Sequence, residues 1–448
     1  MKRAKILCIF IFVLCCNLTA VFTVQAESAF SGGTGASNNP YLISNVEDLA
    51  QLSINVNLGN TYVNTYFKLT SDLNLADFNT IEGSSGFSDG KGWFPIGVNS
   101  YSAFYPFLGI FDGNNHIIKN LNINRVDLYD GDIGLFKFIG EGGEVKNLAL
   151  VDCDINGWGT VGAISGVNRG KITGCISSGK IKALNLDVGG IVGSNSGTVE
   201  NCYNEATVRG YSSVGGIAGS ATQSSLINCY NTGTIAGSNR ISGVLGSAIH
   251  QVTIENCYNI GSINNGYGSG VVVSNGFDRI QNCYYNKEIH IDVYNIEGYN
   301  IDLNTVDMTR ADALSTTMTM SGDAWQKRPN DSNYDYYPEL KNFANSTNVI
   351  IQEMSKNSVK VEKNAISSIT SLSGSIDVFI YSLPLSGIVF VATYDDSGTL
   401  IELLSSQNLV GSSKKYIFNN TVEFATAKAF VWGDMEKINP LVSNKQLN

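Results

Sequence analysis

From residue 161 to 289 the apolar and polar positions of the chain repeat with a period close to 27 residues. A first block recurs as Val161-Gly162-Ala163-Ile164, Val188-Gly189-Gly190-Ile191, Val214-Gly215-Gly216-Ile217, Ile241-Ser242-Gly243-Val244 and Gly268-Ser269-Gly270-Val271. A second follows as Gly174-Cys175-Ile176, Asn201-Cys202-Tyr203-Asn204, Asn228-Cys229-Tyr230-Asn231, Asn256-Cys257-Tyr258-Asn259 and Asn282-Cys283-Tyr284-Tyr285. Mostly β-branched residues precede each Cys by three (Ile172, Val199, Leu226, Ile254, Ile280) and follow it by six (Ile181, Val208, Ile235, Ile263, Ile289). Such residues favour strands. Each unit therefore carries three short strand signals separated by turn residues. Short strands repeating at this period, without helices, predict the coils of a parallel β-helix.

Read as columns, the repeat extends upstream. Stepping back by 27 from Cys175 reaches Leu148 and then Leu121, so the Cys column accepts Leu or Cys and should face inward. A stacked row of buried thiols follows, because free Cys behaves as a small hydrophobe. A disulfide between adjacent rungs is the alternative, but side chains pointing the same way meet its dihedral requirement poorly. Cys153 lies outside the column. The residue before each Cys column position is Asn120, Asn147, Gly174, Asn201, Asn228, Asn256 or Asn282. Asn and Gly interchange where the backbone needs positive φ, so a corner is expected there. Val46 to Leu52 reads as an amphipathic helix capping the upstream end. Met308 to Met320 reads as a second helix, with Thr309 and Asp312 resembling a capping box. The Trp325 to Leu340 segment is expected to close the solenoid. Beyond Asn345, strand-like runs at Val359–Val361, Ile376–Ile380, Ile388–Ala392 and Ala427–Trp432, with a turn at Asp395-Asp396-Ser397-Gly398, predict a small β-sandwich-like domain.

The Val188 to Gly193 block and Gly134-Leu135-Phe136 resemble the GLUG-motif repeats of secreted bacterial surface proteins. Phe107 to Asn114 with His116, Ile118 and Leu121 is similar to the lead-in of such repeats, and Asn39 to Ile43, Trp325 and Tyr337 to Leu340 resemble their start and finish. The likeness spans about residues 32–342. It implies an all-β chain, a right-handed parallel β-helix of ~27-residue coils. It also implies adhesin-like proteins or non-catalytic parts of metallopeptidases. The chain departs from the peptidases: it has three His residues and no His-Glu-x-x-His.

Composition adds a compartment. Lys2, Arg3 and Lys5, the apolar run Ile6 to Leu14 and the small-residue site Val24-Gln25-Ala26 read as a cleaved signal peptide over residues 1–26. The expected division is then 27–106 for the N-terminal cap and first coils, 107–344 for the repeats and C-terminal cap, and 345–448 for the last domain. Without its first 26 residues the chain keeps 26 of 29 Lys+Arg against 39 Asp+Glu, a net charge of −13. Such a surface repels phosphate backbones and argues against nucleic acid; it also disfavours acidic polysaccharides unless a local basic groove exists. No later run is long and apolar enough for a membrane span.

Candidate chemistry is sparse. Asp187, Glu200, Glu205, Glu255 and Asp278 share no column except Glu200 with Glu255, unlike the paired carboxylates of glycoside hydrolases. Asp127, Asp130 and Asp132 form an acidic loop that could hold Ca²⁺ or simply be solvated. His116 and Asp112 fall in a turn region, where packing and turn hydrogen bonds explain them. The Tyr column, Tyr203, Tyr230, Tyr258 and Tyr284, would point outward by simple alternation. Exposed, it would stack on sugars or anchor a protein partner; alternatively the corners tuck its rings over neighbouring rungs. The expectation is a secreted or cell-surface adhesion protein binding a glycan or a surface protein through that ladder. A carbohydrate-active enzyme on the same shaft and a structural spacer are the alternatives.

Overall fold

A computed structural model describes residues 30–286 apart from 77–89, 101–102, 129, 265–267 and 275–277. Beyond these it describes 294–297, 302–308, 320 and 322–329, 334–362, and the strands 366–372, 375–380, most of 388–405, 414–419, 426–432 and 445–447. The signal segment, Ile289 and residues 309–319 of the expected second helix lie outside the described residues; Met308 itself ends a strand.

The chain winds as an all-β parallel solenoid. One register runs from Tyr41 through Phe67, Phe111, Val145, Ile172, Val199, Leu226, Ile254 and Ile280 to Leu303. A typical rung strings together Val192–Asn195, Thr198–Glu200, Tyr203–Asn204, Thr207–Gly210 and Val214–Gly215. The columns Val161–Val188–Val214–Ile241 and Ile181–Val208–Ile235–Ile263 pair as the repeat predicts. Cys175, Cys202, Cys229, Cys257 and Cys283 are fully buried and free, as is Cys153 nearby. Each column thiol donates to the carbonyl two residues earlier, Cys202 Sγ to Glu200 O at 3.1 Å. Burial pushes the Cys153, Cys175, Cys229 and Cys283 thiols up, which keeps them protonated and unreactive.

The corner column has the backbone expected of it. Asn147, Gly174, Asn201, Asn228, Asn256 and Asn282 all lie at φ between 50° and 62°. Their amides also bond along the stack, Asn228 Nδ2 to Asn201 Oδ1 at 3.0 Å and Asn256 Nδ2 to Asn228 Oδ1 at 3.3 Å. Upstream, the 27-residue step fails. Phe111 pairs with Val145, a step of 34 residues, and the register shifts between Asp112 and His116 around Asn114 and Asn115, both at positive φ. His116 therefore faces Leu148, Ile118 faces Leu150, and Leu121 drops into the core one strand later. The extra residues displace Ile118, Asn120 and Leu121 from the columns assigned to them.

A second amide stack, inside the core, was not anticipated. Ser177 Oγ donates to Asn204 Oδ1 at 2.8 Å, Asn204 Nδ2 to Asn231 at 2.7 Å and Asn231 Nδ2 to Asn259 at 2.7 Å. Each Asn also closes a local turn, Asn204 taking Ala206 N–H and giving to Ala206 O. Asn168 and Asn195 repeat the device on another side. Every one of these Asn residues has no solvent exposure. This stack explains the second glycine of the Val-Gly-Gly-Ile block. A Cβ on Gly190 would overlap the Asn204 amide, and one on Gly216 the Asn231 amide.

Helix α1 (Val46–Asn57) is capped by Asn45, whose side chain accepts from Asp48 N. It sends Leu49, Leu52 and Val56 into the same core as Phe67 and Leu69. At the other end, strands 366–372, 375–380 and 414–419 form one antiparallel sheet; strands 400–405, 388–394, 426–432 and 445–447 form another. Two predictions follow from the packing. Gly216→Ala should lower the urea unfolding midpoint by an amount equal to about 1–3 kcal/mol, the cost of overpacking; an unchanged midpoint would mean the amide stack can shift. The six core thiols should resist a thiol reagent in the native chain and all react once it is denatured.

Candidate functional site

The Tyr column does point away from the main core, as alternation requires, but it is not exposed. Tyr203, Tyr230 and Tyr258 have no solvent exposure and Tyr284 is 5% exposed. Successive rings stack at 4.7 and 4.8 Å, nearly parallel. The chain's own residues 320–359 cover them. Trp325 lies 5.9 Å from the Tyr230 ring and 5.6 Å from Tyr258, and its indole N–H donates to Asn228 Oδ1. Phe343, in the short helix α2 (Lys341–Ala344), meets Tyr203 edge-on at 5.0 Å. Tyr258 Oη donates to Pro338 O at 2.6 Å. Helix α3 (Val349–Ser358) brings Ser358 to the Tyr230 hydroxyl, while Asn348 at its start donates to Asp72 near the first coils.

This corrects two expectations. The ladder offers no open face to a ligand, because ring edges and faces are filled by Trp325, Tyr336, Tyr337, Leu340, Phe343, Ile351 and Val359. The Trp325 to Leu340 segment does not close an end of the solenoid; with α2 and α3 it straps the flank lengthwise. The apolar column that needs covering runs Ile117, Ala149, Ile176, Tyr203, Tyr230, Tyr258, Tyr284, so the cover follows the column. Within the strap Glu339 has no solvent exposure and pairs with Arg328 at 2.6 Å, with Ser355 Oγ donating at 2.9 Å.

The other candidates do not converge. Lys91 places its ammonium between Asp127, at 2.7 Å, and Asp130, at 3.2 Å, where a cation would have to sit. Asp132 instead accepts from Asn99 Nδ2 at 2.8 Å, and burial raises its carboxyl, favouring the protonated form that binds Ca²⁺ poorly. Among the described residues no group of three or more His, Cys, Asp or Glu side chains could hold a metal ion. His116 Nδ1 lies 3.0 Å from Asp72, which also accepts from Ile117 N. Asp112 accepts from Asn114 N and Asn147 Nδ2, the work of a turn and a corner. Glu200 pairs with Lys171 at 3.2 Å across one rung.

The solvent side of the solenoid has a different ladder. At the corner after the third strand of each rung stand Val126, Trp158, Leu184 and Tyr211, one above the other in the register Arg125–Gly157 and Lys182–Arg209. Leu184 is 39% and Tyr211 64% exposed, Trp158 half-buried. Sequence reading missed it because these residues differ in type and fall in turns, outside the aligned blocks. Their signal was positional: each follows an inward apolar residue by three.

The GLUG motif matches residues 185–209 and 210–236, two successive rungs of this stack. The chain is a GLUG-motif repeat protein. It is 30% identical over 168 residues to "Halomucin" of Haloquadratum walsbyi, a stretch that is 38% of this chain and 2% of that protein. It is 34% identical over 181 residues to "Putative Gly-rich membrane protein" of Evansella cellulosilytica, 38% of this chain and 19% of that one. The chain thus matches a small part of either relative's length.

Glu205 supplies a test of the strap. It neighbours Tyr203, and burial raises its carboxyl to about 7, a rise that the Tyr203 hydroxyl offsets only in part. A folded pKa above the unfolded one means the native state binds the extra proton. Stability should therefore be full below the unfolded value and fall as pH rises toward 7. Glu205→Gln should remove this decline, seen as thermal midpoints that no longer drop between pH 5 and 8; a parallel decline in wild type and variant would refute it.

Proposed function

We propose that this GLUG-motif protein is an exported adhesion-type protein that works at the cell surface or outside the cell and recognises a glycan or a surface partner without catalysing a reaction. The observation that carries this reading is the outward corner ladder of Trp158, Leu184 and Tyr211. It is an unburied aromatic and aliphatic stripe on a rigid stack, away from the face the strap covers. Large aromatic faces left in water cost free energy and suit stacking on sugars or packing on a partner. The carboxylates argue the same way: those described are taken up by turns, by lysines or by arginine, leaving no facing acid and base.

Several parts of the reading rest on the sequence. Residues 1–26 are read as a signal peptide cleaved after Ala26. The coil is read as right-handed, and the two antiparallel sheets beyond residue 366 as halves of a β-sandwich module. Residues 320–362 belong on this reading with the solenoid they strap, which moves the start of the last domain past Glu362. The names of the two relatives, a halomucin and a Gly-rich membrane protein, fit an envelope setting. Among the described residues no helix is long and apolar enough to cross a membrane. The acidic balance still argues against nucleic acid.

The test is an array of host and plant glycans exposed to the full chain, scored for retained protein and for loss of glycan. Retention without loss is expected. Loss of glycan from a spot would replace this reading with an enzymatic one.

A further inference from the structure

The outward strand leading to the corner ladder carries a local charge pattern at odds with the chain as a whole. Lys180, Lys182 and Leu184 lie on one face of a strand, with Ile181 and Ala183 turned into the core between them. On the next rung Arg209 and Tyr211 repeat the pair. On the preceding rung Asn156 and Trp158 do so. Each rung thus shows one polar and one apolar group, two residues apart, in the same order.

Lys182 and Arg209 are direct register partners. Like charges stacked at one rung spacing, about 4.8 Å, repel and cost stability. Their other neighbours do not relieve this: Lys182 faces Asn156 on one side, and Arg209 faces Ala236 on the other. Only Lys180 has an acid beside it, Asp154. Among the described residues none of the three cations is ion-paired. In a chain with net charge −10, two unrelieved stacked cations beside an unburied aromatic stripe serve no folding purpose. A bound anion would relieve them.

We propose that Lys180, Lys182 and Arg209, with Trp158, Leu184 and Tyr211 beside them, form a binding strip for a linear polysaccharide whose sugars carry carboxylates. This rests on the adhesion reading and names its ligand class. The ladder axis sets a repeat of one rung, and a sugar residue in an extended chain advances by a comparable step. Trp158 and Tyr211, two rungs and about 9.6 Å apart, would then stack on alternate sugars. Arginine suits the carboxylate because its planar fork donates two parallel hydrogen bonds. An acidic peptide would satisfy the cations but has no regular ring for Trp158 and Tyr211 to cover.

The test measures binding of the full chain to polygalacturonate, to its methyl ester and to poly-glutamate by calorimetry. Variants are Lys182→Gln with Arg209→Gln, and Trp158→Ala with Tyr211→Ala; all four side chains point outward, so thermal midpoints should stay near wild type. Polygalacturonate should bind, and more weakly as salt rises. The methyl ester and each double variant should bind roughly tenfold more weakly, the loss of a charge-assisted contact. Equal binding of poly-glutamate, or polygalacturonate binding untouched by the variants, would overturn the strip. So would no binding of polygalacturonate. Retention on the glycan array that survives both double variants would then remove the strip and keep the adhesion reading, whereas an array with no retention at all removes both.

Discussion

The hydrogen bonds that run along the stack, from each rung to the next, are the constraint on which everything else rests. A parallel rung cannot satisfy its own backbone; its amides and carbonyls bond to the coils on either side. Once the rungs are held at that spacing, any residue type repeated at one position meets copies of itself. Asn meets Asn and bonds amide to amide, both at the positive-φ corner and inside the core. Cys meets Cys and packs as a row of thiols. Tyr meets Tyr at 4.7 to 4.8 Å and stacks face to face. Lys meets Arg, and there the same geometry is unfavourable, so a ligand is the natural account of it.

A solenoid with one apolar column on its outside has a problem that its interior cannot solve. Tyr rings in that column would be wet on one edge along several rungs. The strap answers this with Trp325, Tyr337 and Phe343, and with hydroxyl partners such as Pro338 O. The buried ion pair of Arg328 with Glu339 lies within that cover. Such a pair adds little net stability but is costly to break, so it favours one seating of the strap over others. The flank so covered is spent on folding. The faces left for recognition are the corners and the outward strand positions.

Much of the architecture was readable from period and residue type. A Leu-or-Cys column must be buried, an Asn-or-Gly column must be a corner, and β-branched columns must be strands. Those statements concern local chemistry repeated many times, and repetition makes weak preferences add. Where repetition stops, reading stops: seven added residues between Phe111 and Val145 moved Ile118, Asn120 and Leu121 out of register. The buried Asn204, Asn231 and Asn259 stack was present in the aligned blocks, yet its role was not evident, since a polar residue at an inward position looks like a surface one until its partner is known.

By itself, then, the sequence determined the solenoid, its coil length, its corners and the inward face of each strand, because these follow from one unit and its copies. It also determined that the Tyr column faces away from the main core. Only the tertiary structure decided that this column is covered, since the cover comes from a segment up to about 130 residues away whose pairing leaves no periodic trace. Tertiary structure alone likewise brought Trp158, Leu184 and Tyr211 into line with Lys182 and Arg209. Those residues share no motif and become neighbours only when consecutive rungs are stacked by the backbone hydrogen bonds between them.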